Sequence, residues 1–222
     1  NAARKAWIDL LIDKQQDDGN WPIYNPDQVD TGSGSDLGGV DVCAMALQAL
    51  APYYLDESRF EALNTVHTYA DLEGTVKKAL NFLSSSQNST GGYGNAEASA
   101  QVIVALATLG KDASTFAQNG ISVLADLLSY ETADHGFSHT NNGPTNQMST
   151  EQAAYALVAY DRYQKKQAPL YDMSDVSGVT EQFHTVEATA GSGGQITPSG
   201  QTQVKHNDSI TFTITPDDGY QV

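Results

Sequence analysis

The feature that most constrains this chain is a phrase written more than once. Residues 5 to 21 read KAWIDLLIDKQQDDGNW and residues 78 to 93 read KALNFLSSSQNSTGGY, so Leu11, Gln15, Gly19 and Trp21 recur at identical spacing as Leu83, Gln87, Gly91 and Tyr93. A third copy, VLADLLSYETADHGF at 123 to 137, keeps Leu128, Gly136 and Phe137, sets Thr132 where the glutamine stands and reads as one residue shorter. A second apolar segment follows each copy, and these also align: Cys43 to Leu50, Ser99 to Leu106, and Thr150 to Leu157. A helical pair that cannot bury its apolar face alone must stack on neighbours, so three helical hairpins packed in series are expected. In each turn the glutamine can bond free carbonyls at a helix end, the glycine permits the reversal and the aromatic ring packs the turn against a neighbour.

Apolar residues at helical spacing (Val76, Ala79, Leu80, Leu83; Val102, Ala105, Leu106, Leu109) extend this pattern to about six helices over residues 1–166. From Phe183 onward, alternation at Ile210, Phe212 and Ile214 and the turn signal Pro216-Asp217-Asp218-Gly219 predict β structure over 183–222. Residues 167–182 lack sustained periodicity and carry Pro169 and Gly178, which places a linker there. The expected organisation is a mainly α domain, a linker and a small all-β module that reads as truncated.

Eleven Lys plus Arg against 27 Asp plus Glu give a formal net charge of −16, which repels phosphate backbones and anionic membranes. Nucleic acid is therefore not an expected partner. No apolar run is long enough to span a bilayer, and Asn1 to Lys5 shows no signal peptide. The lone Cys43 excludes an internal disulfide.

The phrase Lys-Ala-x2-Phe-Leu-x3-Gln-x3-Gly-x-Tyr at 78 to 93 resembles the glutamine/aromatic repeat of squalene and terpene cyclases, whose toroid the protein prenyltransferases share. The resemblance implies an α/α toroid, or half of one, whose second helices line a central cavity. It implies two chemistries in turn. The cyclase acid motif is reduced here to Asp41, and a strong proton donor needs neighbours that keep it protonated, so no catalytic residue is assigned. Asp41-Val42-Cys43 resembles the Asp-x-Cys pair of the prenyltransferase zinc site. Ser149 stands where that family's third ligand, a histidine, is expected, which leaves Asp41, Cys43, His135 and His139 as weak metal candidates against a small buried cysteine. Asp41, Glu97, Gln101, Ser149, Thr150 and Gln152 could ring the cavity and hold a polar ligand. Capping of the second helices explains Asp41, Ser149 and Thr150 more simply. Short phrases such as Val40-Asp41 with Ala44-Met45-Ala46 also resemble cobalamin carriers of the intrinsic-factor type. Asp27, Asp30, Asp36 and Asp41 in the loop 25–41 suggest oxygen ligands for calcium, or a solvated acidic loop.

Residues 186 to 222 resemble the opening strands of the divergent internalin B-repeat modules of bacterial surface proteins. This resemblance implies a secreted or cell-surface protein carrying further surface modules. The reading is a non-catalytic unit that binds a small molecule, glycan or protein through the concave face of the toroid, with no resident cofactor. The alternatives are a zinc-dependent prenyltransferase-like or cyclase-like enzyme, a cobalamin-carrier-like binder and a purely architectural repeat.

Overall fold

A computed structural model describes residues 2–21, 39–172, 175, 183–205 and 208–221. The chain divides into two compact units, Asn1–Met173 and Ser174–Val222. Among the described residues the first unit holds seven helices: α1 (Ala2–Lys14), α2 (Val40–Tyr54), α3 (Glu57–Glu61), α4 (Tyr69–Ser86), α5 (Ala96–Thr108), α6 (Val123–Leu128) and α7 (Gln147–Gln164). Two short antiparallel ribbons join them, β1 (Ala117–Gln118) with β2 (Ile121–Ser122), and β3 (Phe137–Ser138) with β4 (Thr145–Asn146).

Hairpins α1/α2, α4/α5 and α6/α7 correspond to the three sequence copies, and α3 is a single turn between the first two. The second helices lie side by side, α5 between α2 and α7, while α2 also packs on α4 and α5 on α6. That position explains the composition of α5, in which Ala98 to Leu106 are all buried and all apolar except Ser99 and Gln101, whose side chains are hydrogen-bonded. The core runs through Leu47, Leu50, Leu72, Val76, Leu83, Ile103, Leu106 and Leu127, each fully buried.

Local chemistry starts the helices where it should. Thr68 and Asp71 form a reciprocal capping box on α4. Asn95 accepts from Ala98 N at 2.8 Å and Asn146 from Ser149 N at 3.1 Å, while Gly39 holds the same place before α2 without a side-chain bond. The caps of the second helices are therefore Gly39, Asn95 and Asn146, not Asp41, Ser149 or Thr150, all of which lie inside the first turns.

The repeated turns are built alike. Gln15 Nε2 donates to Gly19 O (3.1 Å) and to Thr75 O in α4 (2.8 Å). Gln87 Nε2 donates to Gly91 O (2.6 Å) and to Phe116 O ahead of α6 (3.2 Å). The glutamine thus clamps its own turn to the next hairpin, and the helix end is satisfied by the aromatic residue: Trp21 Nε1 donates to Leu11 O at 2.7 Å and Tyr93 OH to Leu83 O at 2.9 Å. The sequence reading had assigned the helix end to the glutamine.

The third turn needs a correction of register. Gln16 N→Asn20 O, Asn88 N→Gly92 O and Thr132 N→Gly136 O are equivalent bonds (2.8, 2.8 and 2.9 Å), so Thr132 answers to Gln16 and Asn88. Glu131 then holds the glutamine position, Gly136 answers to Asn20 and Gly92, and the copy has full length. The left-handed position of Gly19 (φ 94°) and Gly91 (φ 82°) falls to His135 (φ 63°). Gly136 is still constrained, because a Cβ there would lie 2.3 Å from the Thr145 side chain. Phe137 keeps the aromatic place and is buried.

The second unit contains β5 (Phe183–Ala188) paired antiparallel with β7 (Gly200–Lys205), and β6 (Gly194–Thr197) paired antiparallel with β8 (Thr213–Pro216). Ile196 faces Ile214 across the second pair. Ile210 and Phe212 are half-buried but precede the strand, and Tyr220 N→Asp217 O (3.0 Å) closes the turn that Pro216 to Gly219 signalled.

Candidate functional site

Equivalent places on the second helices follow from their caps at 39, 95 and 146, and one stripe of each helix mixes polar side chains with Met45, Val104 and Met148. Reading i, i+4, i+7 gives Asp41, Met45 and Gln48 on α2, Glu97, Gln101 and Val104 on α5, and Met148, Gln152 and Tyr155 on α7. Side-chain bonds join these stripes across all three helices. Gln48 Nε2 donates to Gln101 O (3.2 Å) and Gln101 Oε1 (3.1 Å), and Gln101 Nε2 donates to Gln152 Oε1 (3.2 Å) and to the Tyr155 hydroxyl. Burial pushes the Tyr155 phenol up to about 12, helped by Tyr171, Asp41 and Glu151, so the hydroxyl stays protonated at neutral pH.

One turn towards the N-terminal ends sits the charged part of the stripe. Ser149 Oγ donates to Glu97 Oε1 at 2.6 Å, and His139 Nδ1 lies 2.8 Å from Glu97 Oε2. Burial would raise the Glu97 carboxyl, but bonds from Ser149 and His139 outweigh it and hold the group below its ordinary value. Asp41 is the opposite case. Its Oδ1 is buried without a hydrogen-bond partner, and burial, then the nearby Glu97 charge, raise its carboxyl.

At the other end the stripe opens into a cleft of about 440 Å³ whose walls include Gln48, Pro52, Thr108, Arg59, Pro169 and Tyr171. The segment after α7 reaches this cleft because Arg162 Nε holds Ala168 O at 2.8 Å. Arg59, at 5.8 Å from the Tyr53 ring centroid, is the cation in a wall that also carries Asp56 and Asp172.

Of the six residues expected from sequence to ring a cavity, Gln101 bonds Gln152, Glu97 bonds the fully buried Ser149, and Asp41 lies near Glu97. Thr150 makes none of these contacts. Its hydroxyl donates to Asn146 O (2.7 Å) and accepts from Phe137 N (2.9 Å), which latches the third turn to α7. Sequence reasoning missed Gln48 and Tyr155, although they share an equivalent position one turn on from Met45 and Gln152. It also missed Tyr171, which lay in the expected linker.

The four metal candidates are scattered. Cys43 is fully buried, its Sγ 3.7 Å from Ala79 O and 3.9 Å from Gly19 O, and burial, then the Asp18 charge, push its thiol up to about 12. That favours the thiol over the thiolate a metal needs. His135 pairs with Glu131 at 3.2 Å on the surface, away from the Glu97 contact of His139. Among the described residues no group of three His, Cys, Asp or Glu side chains could hold a metal ion. Asp27, Asp30 and Asp36, the other acids of the suggested calcium loop, lie outside the described residues.

Residues 184–222 match the family model of the divergent InlB B-repeat domain, a family found in bacterial surface proteins. The match covers the strands of the second unit and none of the helices. No curated protein matches the chain. No helix among the described residues is long and apolar enough to cross a membrane.

Proposed function

We propose that the helical unit is a non-catalytic binding module of a secreted or cell-surface bacterial protein, an arc of α/α-toroid hairpins whose second helices present a polar stripe to a ligand. The observation that carries this reading is the amide and hydroxyl ladder Gln48–Gln101–Gln152–Tyr155, continued by Glu97 and Ser149, on three adjacent helices. Half-buried Gln48, Gln152 and Tyr155 bond buried Gln101 across the hairpins, and Gln48 reaches the cleft, which aligns hydrogen-bonding groups at a surface a ligand can approach. The chemistry favours a neutral, hydroxyl-rich ligand such as a glycan: amides and a phenol both donate and accept, whereas the charges of Asp41 and Glu97 repel anions. The matched C-terminal segment supports the surface setting.

A purely architectural role draws on one observation of its own, the way Ser149, Glu97 and His139 already satisfy one another. A glycan array probed with the whole chain and with Gln101→Leu and Tyr155→Phe separates the two. Binding to a defined glycan that both variants lose supports recognition by the stripe. Equal binding by all three moves the contact elsewhere, and no binding at all leaves the architectural role.

A further inference from the structure

The two ends of the hairpin stack differ, and the difference identifies what one of them receives. Inside the stack, each groove between a first and a second helix is filled by the preceding second helix: α2 lies against α4 and α5, and α5 against α6 and α7. The corresponding groove between α1 and α2 has about 550 Å³ of free space, with Leu10, Leu11, Trp21, Val42, Met45 and Ala49 in its walls and Lys14 as the one charged side chain among the described residues that line it. In repeat register Val76 and Ala79 of α4 are fully buried, while the same places on α1 are Arg4 and Trp7, the latter 65 % exposed. Leu83 and Leu127 are fully buried where Leu11 is half-buried. The face has the composition of an inter-hairpin interface, and no helix among the described residues fills it.

The far end is built differently. Gly19 and Gly91 approach the next hairpin so closely that a Cβ would lie 2.3 Å from Lys78 O and 2.1 Å from Ile121 O. At the same place the third turn carries His135, and in place of Gln15 and Gln87 it carries Glu131, which cannot donate to a neighbouring carbonyl. Glu131 and His135 pair with each other instead. A second copy of this chain could therefore not seat its third hairpin on α1/α2 in the way the first two hairpins seat on their neighbours.

We propose that the α1/α2 face docks a further helical hairpin of the Gln-x3-Gly-x-aromatic kind. Its second helix fills the groove, its glycine turn rests against α1, and its glutamine donates to a carbonyl near Ala3, the residue that matches Thr75 in register. The inference rests on the stacking of the hairpins and is independent of what the polar stripe binds.

The test is the whole chain extended ahead of residue 1 by a second copy of residues 69–110 and the connector 55–68. The added stretch contains no tryptophan, and Trp21 in the groove wall is already buried, so a blue shift on docking comes chiefly from exposed Trp7. Docking shifts that emission to the blue and raises the melting temperature of the helical unit, and Gln87→Ala made in the added copy alone reduces both effects. Emission and melting equal to those of the original chain would overturn the proposal. So would an original chain that self-associates and shields Trp7 without the extension, because the face would then take a second copy.

Discussion

Replacing Gly91 by alanine tests the inter-hairpin clamp, and Gly94 supplies the control. Both glycines have positive φ, 82° and 88°, but a Cβ at Gly91 would lie 2.1 Å from Ile121 O, whereas a Cβ at Gly94 would meet nothing within 4 Å. The left-handed conformation costs an L-residue roughly 1–2 kcal/mol, offset by about 0.4–1 kcal/mol from the stiffer unfolded chain. Gly94→Ala should therefore destabilise by about 1 kcal/mol. Gly91→Ala adds a clash with backbone that cannot swing away. To relieve it the turn must retreat by about an ångström towards ordinary contact distance, which breaks the paired bonds from Gln87 to Gly91 O and Phe116 O. Two such bonds contribute about 2 kcal/mol together, so Gly91→Ala should cost about 3 kcal/mol. In a unit of this size that is a drop of roughly 6–12 °C in melting temperature, against about 2–4 °C for Gly94→Ala. The assay is thermal unfolding followed by helical circular dichroism. Equal losses in the two variants would refute the clamp, because backbone strain alone would then explain both.

Asp41 and Glu97 should respond to neutralisation with opposite signs. The folded pKa of Asp41 is raised, so its ionised form weakens the fold at neutral pH; Asp41→Asn should raise the melting temperature at pH 7, and the gain should vanish as acid protonates the wild-type group. The folded pKa of Glu97 is lowered, so its contribution is present above the ordinary glutamate value and lost as pH falls through the folded one; Glu97→Gln should lower the melting temperature at pH 7 and converge with wild type in acid. A melting series from neutral to acid pH checks both, and a Glu97→Gln loss that persists in acid would contradict the electrostatic origin. Cys43 should resist thiol reagents in the native state and react only as the helical unit opens, since it is fully buried with its thiol pushed up to about 12. Rapid labelling of native protein would show that the pocket around it is open.

The hairpins were legible because their code is local and repeated: a leucine, a glutamine, a glycine and an aromatic residue at fixed intervals name both the turn and its partners. The third copy was misread for the same reason. Matching glycine to glycine put Gly136 where Gly91 belongs, but backbone geometry, not residue identity, defines the position, and His135 occupies it with positive φ. Asn95 and Asn146 carried a readable capping signal three residues ahead of Ala98 and Ser149, which the charged and hydroxyl residues one turn on obscured. The polar stripe was half legible. Asp41, Glu97, Gln101 and Gln152 followed from equivalent positions, whereas Tyr171 reaches the cleft only because the chain folds back after α7, a tertiary event without periodicity. The burial of Cys43 between Gly19 and Ala79 depends on how α1 and α4 meet, so the sequence left it open as a metal ligand.

The central claim is that Gln48, Gln101, Gln152 and Tyr155 form a recognition surface. Its most direct test is to record the side-chain amide resonances of the three glutamines by NMR while the chain is titrated with a glycan selected on the array. The account predicts that these resonances move together and saturate with the binding curve, and that Tyr155→Phe abolishes the shift. Saturable binding that leaves all three amides in place would contradict it.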